Sequence, residues 1–448
     1  METTWRDKHT VKPEKHYMSV KWHEHIVDGD VKVKEATLKE RTMVIGRVGI
    51  MDLATGTSAW RVLDNMNHVG KKLGVIVTAD IGLLSISFTC MEGSEQCSLT
   101  LSLPTTGINT ERLYMLNRFL RDFDDCDGDM TLQEIHDRLD DIQHKKGNYS
   151  SLQVGFASGL ACCGFTFLLG GGPIEMFCAF LGAGFGNFVR RLLIDRHISL
   201  IPNTVIGVSA ACIINILAYR LLELFFGISP EHEAGYICAM LFIIPGFPLI
   251  TGGIDLAKSH MRSGLERGSY AIMIITVATL TGWVVAQTFG FHPQDFIEYD
   301  LHPSIRIVLW LITSFMGVFG FSQMYDSPIK MAARAGVIGA IANTLRLILA
   351  NYAGITPSIA ALIGAFSAGL MAAYGVRRFH YPRITLSVPS IVIMVPGLFM
   401  YRAVYNFGIG EMSVGADWLI RAIFLVMALP LGLIFARILT DPRYLKSV

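Results

Sequence analysis

The sequence predicts an α-helical integral membrane protein with about ten transmembrane helices as two inverted five-helix repeats, preceded by a small α+β domain. Three observations predict it. Apolar runs of about 20 residues recur from Tyr149 onward, each long enough to cross a ~30 Å hydrocarbon core as a helix. The connectors between these runs alternate between basic and non-basic. Three short motifs recur in the same order in both apolar halves.

Composition sets the frame. Of 448 residues, 52% are hydrophobic, 17% are charged and 43 are glycines, whereas a soluble chain carries about 25% charged residues. The charge is concentrated in residues 1–150. A net charge of +1 argues against a nucleic-acid partner. The opening residues, Met1 to Lys8, contain no apolar stretch, so no cleavable signal peptide is expected. The eight cysteines show no metal-ligand spacing and read as small core residues. No cofactor and no metal are expected.

Residues 1–35 form a polar segment rich in lysine and histidine. Within it, His23-Glu24-His25 offers two imidazoles with no further ligand nearby in sequence and is given no metal role. A soluble α+β domain is expected over residues 36–148. Met43, Val44, Val48 and Met51 fall at helical spacing. A second helix follows Gly56, with Thr57 or Ser58 as N-cap and Val62, Leu63, Met66, Val69 and Leu73 as its apolar stripe, ending near Gly74. The period then changes to two. Leu84, Ile86 and Phe88, and later Leu99, Leu101 and Leu103, alternate with small polar residues. These are two strands of a hairpin joined across Glu92-Gly93-Ser94-Glu95. Helices near 109–122 and 131–145 complete the domain. Between them, Asp122 to Glu134 resembles a calcium loop, but Phe123 occupies the first ligand position, where an aspartate is needed. It reads as a solvated turn.

The membrane portion reads as spans near 152–170, 174–193, 203–224, 234–253 and 269–290 in a first repeat (149–300). A second repeat (301–448) holds spans near 304–323, 329–350, 357–375, 387–406 and 417–438. The segments 190–202, 254–268, 323–334, 374–386 and 437–448 carry fourteen lysines and arginines in all, and the intervening connectors carry none. Several of the latter are acidic, as at Glu231, Glu233, Asp295, Glu298 and Asp300. By the positive-inside rule the basic set, both termini and the α+β domain are expected in the cytoplasm.

Gly164-Phe165-Thr166 recurs as Gly320-Phe321-Ser322, and Asn187-x-x-Arg190 as Asn343-x-x-Arg346, at one offset. Ile243-Ile244-Pro245-Gly246 recurs as Met394-Val395-Pro396-Gly397 at a slightly smaller one. Five helices per half is an odd number, so the second half must be upside down relative to the first. Transporters use such inverted repeats and bind substrate at the repeat interface near the bilayer midplane.

The motif Pro245-Gly246-Phe247-Pro248-Leu249 leading to Asp255-Leu256, the later Val395-Pro396-Gly397 with Tyr401-Arg402, and Arg61-Val62 after Gly56 resemble the threonine/serine exporter family of bacterial inner-membrane proteins. The resemblance covers roughly residues 41–440. It implies outward secondary transport driven by the proton gradient, through a multi-pass protein of the inner membrane. In some relatives the halves are separate proteins, one of them linked to succinate export. Thr57-Ser58 stands where the family leads one to expect alanine and glutamate, which touches regulation rather than the transport path.

Proline followed by glycine breaks an apolar helix and frees backbone groups for a substrate's carboxylate or ammonium. Pro245, Gly246, Pro396 and Gly397 are therefore candidate substrate-binding positions, the competing reading being kinks that only shape packing. Asn187/Arg190 and Asn343/Arg346 place an amide and a guanidinium on one helix face, suited to an amino or hydroxyl group and a carboxylate. The competing reading is snorkelling. Asp255 is a candidate for proton coupling or an interfacial residue paired with Lys258. Glu175, Asp326 and Arg334 are weaker candidates. The glycine runs 182/184/186 and 336/339 read as helix-packing positions.

The expected partners are a small amino acid or dicarboxylate, protons and the lipid bilayer, with self-association left open. A passive channel with a regulatory domain is a second class, disfavoured by the inverted repeat. A membrane enzyme is a third, and the sequence holds no H-E-x-x-H, nucleophile elbow or nucleotide loop.

Overall fold

In a computed structural model the chain is described over residues 20–126, 129–227, 235–291, 296, 300–441 and 444. It divides into two compact units at Lys145/Lys146.

In the first unit, α1 (Leu38–Ala54) starts at a capping box in which Thr37 and Glu40 satisfy each other's backbone amides. It is buried along nearly its whole length. The amphipathic α2 (Ala59–Lys72) packs on it. Three antiparallel strands follow in the order β1 (Ile76–Ile81), β2 (Ser85–Glu92) and β3 (Glu95–Ser102). The expected hairpin is present, with Glu92 opposite Glu95 and Gly93 at φ +59°, a conformation that favours glycine. The first strand alternates in burial, with Val77, Ala79 and Ile81 inward, and escapes the period-two reading because apolar Ile76 lies on its exposed face and Ala79 is small. Then come α3 (Thr110–Asp125) and α4 (Leu132–His144). Of the calcium-like segment, Asp127 and Gly128 lie outside the described residues, while Phe123 is buried in the core.

Two polar clusters mark this unit. His23 has partners distant in sequence: its Nε2 lies 2.8 Å from Asp140 and 3.9 Å from Asp137. The other Asp140 oxygen accepts from fully buried Arg47, which also bonds Gln143 and the His136 carbonyl. The cluster is an ion-pair network anchored on Arg47. Asp52 is fully buried on α1 and accepts from Asn65 Nδ2 at 2.7 Å. Its other oxygen has no partner among the described residues. Burial pushes its carboxyl up to about 6, against the pull of Arg61 and Asn65.

The second unit is all helix. Its first half contains α5 (Ser151–Leu168), α6 (Pro173–Asp195), α7 (Leu200–Phe226), α8 (Tyr236–Ala239) with a 3-10 turn, α9 (Gly246–Ala257) and α10 (Met261–Phe289). The second contains α11 (Pro303–Met324), α12 (Ile329–Asn351), α13 (Pro357–Phe379), α14 (Arg383–Val392), α15 (Gly397–Gly408) and α16 (Met412–Thr440). Eight of these helices are long and apolar enough to span a bilayer, and the bent pairs α8/α9 and α14/α15 raise the count to ten. The fold is that of a membrane protein, as expected. Glu231, Glu233, Asp295 and Glu298 lie outside the described residues.

The repeat is visible in element lengths: 23 residues in α6 and α12, 12 in α9 and α15, 29 in α10 and α16. Its inversion is visible in end contacts. Just before α5, the Asn148 amide donates to Asp326 at 2.7 Å and the Tyr149 hydroxyl to the Ser327 carbonyl at 2.7 Å. The start of α5 thus lies beside the end of α11, its counterpart. The two helices pack through reciprocal glycines. A methyl group on Gly164 would strike the Thr313 carbonyl, and one on Gly320 the Ala157 carbonyl. Glycine lets the two backbones approach this closely.

Candidate substrate site

Each bent span breaks at a proline. Pro245 sits at φ −79°, ψ 60° and Pro396 at φ −80°, ψ 57°, outside the helical region. The following glycine amide donates back across the proline at 2.8 Å in both cases, Gly246 to Ile244 and Gly397 to Val395. These are inverse γ-turns, and they bend the two spans by 52° and 50°. Proline suits the site because its fixed φ matches the turn and its missing N–H removes one helical bond.

The two breaks meet. Gly246 faces Val392 and Val395, while Gly397 faces Leu241 and Ile244. Between them lies a cavity of about 10 Å³ lined by four related pairs: Phe165 and Phe321, Leu241 and Val392, Ile244 and Val395, Gly246 and Gly397. The phenylalanine rings meet edge to face at 6.4 Å. A space of this size holds about one water molecule, so this conformation is closed around its centre. The first residues of α9 and α15 border the cavity, and helix N-termini favour a carboxylate.

Aromatic pairs join the elements on either side of the breaks. The Tyr236 and Tyr401 hydroxyls hydrogen-bond at 2.6 Å, joining α8 to α15 across the repeats, with both side chains buried. Toward the face carrying the basic connectors, Phe247 and Tyr325 meet at 5.3 Å between centroids.

The polar residues expected at the site occupy a second layer, and none lines the cavity. Asn343 on α12 is buried; its Nδ2 donates to Ser314 at 2.8 Å and its Oδ1 accepts from Arg346 Nε at 2.9 Å. Arg346 is half-buried and has no ion pair among the described residues. Gly364 separates it from Met394 of the second break. In the first half, Asn187 is buried and its Nδ2 reaches the Val154 carbonyl at 3.5 Å. Arg190 is half-buried, packs on Gly207 and likewise has no ion pair among the described residues. The structure brings the two breaks together and leaves the Asn/Arg pairs away from them. Those sit on α6 and α12, which pack behind α8 and α14.

Asp255 is not paired with Lys258. It is fully buried and faces Arg267 at 3.3 Å, with Ser263 Oγ donating to it at 2.9 Å. Arg267 also bonds Ser263 and Thr251, at 3.1 Å each. A buried carboxylate needs such a partner, and Lys258 turns elsewhere. Of the weaker candidates, Glu175 caps α6 by accepting from the Gly172 amide at 2.9 Å, Asp326 holds Asn148, and Arg334 lies over Phe379 at 3.6 Å. Residues missed in the sequence are Ser158 and Ser314, related by the offset of the Asn/Arg pairs, together with Arg267, Tyr236 and the Phe165/Phe321 pair.

Two inverted repeats, each with a broken span whose break faces the other across a closed centre, define a multi-pass membrane transport protein. More specifically, the chain belongs to the threonine/serine exporter family, which matches it over residues 43–290 and again over 310–439. It is 23% identical over 381 residues to the "probable threonine/serine exporter" of Mycobacterium tuberculosis, covering 82% of this chain and 70% of that one. It is 30% identical over 154 residues to the "probable succinate transporter subunit YjjP" of Escherichia coli, covering 34% of this chain and 57% of that one. It is 22% identical over 288 residues to "pheromone-regulated membrane protein 10" of Pichia sorbitophila, covering 60% of this chain but only 27% of the yeast protein. No solved structure matches the chain.

Proposed function

We propose that this protein is a secondary transporter exporting threonine or serine, driven by the proton gradient. The observation that carries the reading is the meeting of the two proline-glycine breaks at a closed, two-fold related centre. A channel needs no occluded centre of this kind, whereas alternating access requires one. The α9 and α15 N-termini would receive the substrate's carboxylate as the halves part, and Ser314-Asn343-Arg346 and its counterpart on α6 would draw in from the second layer. Asp255, with Arg267 as counter-charge, is the proposed proton carrier. The basic face is the cytoplasmic one by the positive-inside rule. Residues 36–148 would then be a cytoplasmic domain that modulates transport, and the protein would lie in a bacterial inner membrane with both termini inside.

A second reading is export of a C4-dicarboxylate such as succinate, favoured by the likeness of 154 residues to the succinate transporter subunit. Uptake into proteoliposomes with an imposed pH gradient, over a panel of threonine, serine, succinate and leucine, tests both. Gradient-driven accumulation of threonine or serine is expected. Accumulation of succinate alone would move the assignment to the second reading, and gradient-independent flux of every solute would make the protein a channel.

A further inference from the structure

Both broken spans are tied, at the basic face, to the end of α16 and a residue beyond it, α9 through Tyr444 and α14 through Thr440. Lys258, just after α9, donates from Nζ to the Tyr444 carbonyl at 2.8 Å and lies 3.7 Å from the centroid of the Tyr444 ring. Arg437, in the last turn of α16, lies 4.6 Å from the same centroid. The ring is thus held by two cations, one from each repeat, and it is 5% exposed. Arg383, the first residue of α14, donates to Thr440 Oγ1 at 2.6 Å and to the Gly369 carbonyl at 2.8 Å. Asp441 pairs with Arg437 at 3.5 Å and accepts from the Tyr444 amide at 3.0 Å.

The elements joined here are not arbitrary. The spans α8/α9 and α14/α15 carry the breaks that line the cavity, and inversion brings the end of one and the start of the other to the same face. Any motion that opens the cavity to that face must separate α9 from α14 or shift both against α16. A shift of α9 strains the Lys258–Tyr444 contacts, and a shift of α14 strains the Arg383–Thr440 bond. Cation–π contacts with a desolvated ring, together with a hydrogen bond from an ammonium, are the strong end of such interactions.

We infer that Tyr444 and Lys258 form a latch that holds the basic face closed, and that its release is a step of the transport cycle. They act as positioning residues through the two broken spans and do not touch substrate. Substrate entering from the basic face binds only the open form, so its apparent affinity is reduced by the fraction of molecules that are open. Weakening the latch raises that fraction.

The experiment compares the full-length wild type with Tyr444→Ala, Tyr444→Phe and Lys258→Ala in two ways. Hydrogen exchange in nanodiscs without substrate follows the amides of Gly246–Ala257 and Arg383–Val392, a readout independent of what is carried. Proteoliposome transport of threonine gives KM at the basic face and kcat separately, and this arm alone depends on the proposed function. Expected are about fivefold or greater faster exchange in both segments and a KM lowered by a similar factor for Tyr444→Ala and Lys258→Ala. Tyr444→Phe keeps the ring and the carbonyl and should match wild type in both. Unchanged exchange in the two alanine variants overturns the latch, as does an effect in Tyr444→Phe equal to that of Tyr444→Ala. Faster exchange with no threonine transport in any form, wild type included, keeps the latch and removes the substrate assignment. A raised KM with lowered kcat in the alanine variants would mark a structural role and also overturn it.

Discussion

The hydroxyl groups of Tyr236 and Tyr401, on α8 and α15, form a 2.6 Å hydrogen bond that joins the two repeats across the protein's centre. It stands on the side of the cavity away from the basic face, and both side chains are buried. The bond ties the repeats together on that side, as Tyr444 and Lys258 are inferred to do on the other.

Removing one partner leaves the other buried and unsatisfied, which costs about 1–3 kcal/mol, whereas removing both can be nearly neutral. Tyr236→Phe and Tyr401→Phe should each speed hydrogen exchange in α8 and α15 by roughly fivefold or more. The double variant should recover most of the difference. Additive effects in the double variant would show that the bond does not couple the repeats.

Arg346 and Asn343 address the second polar layer. If Arg346 reaches the substrate carboxylate when the halves part, losing its planar fork should cost about 2–5 kcal/mol, some 30-fold or more in apparent affinity. Arg346→Lys keeps the charge but not the fork, and should fail nearly as badly as Arg346→Ala. Asn343→Ala, which removes the bond that orients Arg346 Nε, should follow in the same direction. Transport by Arg346→Lys at wild-type KM, with matched membrane expression, would return this arginine to the snorkelling reading.

Asp255 and Arg267 form a buried pair at 3.3 Å. Arg267→Ala leaves the carboxylate without its counter-charge and should destabilise the fold by about 3–5 kcal/mol, seen as a lowered unfolding midpoint in detergent. Asp255→Asn should retain substrate exchange between the two sides but lose accumulation driven by a pH gradient. Gradient-driven accumulation by Asp255→Asn would remove this residue from proton coupling.

Asp52 in the α+β unit gives a pH signature. Its carboxyl is raised to about 6 by burial, above the ordinary carboxylate range near 3.9. A group raised in the folded state contributes stability that is complete below the unfolded value and lost as pH rises through the folded one. Between about pH 4 and 6 this residue therefore makes the unit less stable as pH rises. Asp52→Asn fills the same volume without the charge. It should flatten that part of the stability curve and be at least as stable at pH 7.5. A wild-type-like slope in the variant, followed by thermal unfolding from pH 4 to 7.5, would contradict the assignment.

Much of this was legible in the sequence, for physical reasons that differ by element. Apolar runs report spans directly, because a bilayer fixes their length. Pro245-Gly246 and Pro396-Gly397 were legible because proline forbids the helical bond at a known place, and both breaks occur there. The sequence could not say that the breaks face each other. That follows from inversion plus the glycine approach of α5 to α11, where only Gly164 and Gly320 give a hint. It also could not place the Asn/Arg pairs in a second layer, since a helix face is visible in sequence but not which neighbour covers it. The Asp255–Arg267 pair was missed for the same reason. Lys258 is closer along the chain, yet only the packing of α9 on α10 brings Arg267 to the carboxylate. Strand β1 escaped because an apolar residue on its exposed face, Ile76, and a small one on its inner face, Ala79, blur the alternation over only six residues.

The central claim is that substrate passes through the cavity between Gly246 and Gly397. Its most direct test is threonine counterflow in proteoliposomes with Gly246→Ala and Gly397→Ala. An added methyl group would lie 3.2 Å from Val392 and Val395 in the first variant and 2.9 Å from Leu241 in the second, inside ordinary contact distance. With hydrogen exchange away from the breaks unchanged, both variants should lose counterflow by at least tenfold, and Gly397→Ala more severely. Full counterflow in both would show that the path lies elsewhere.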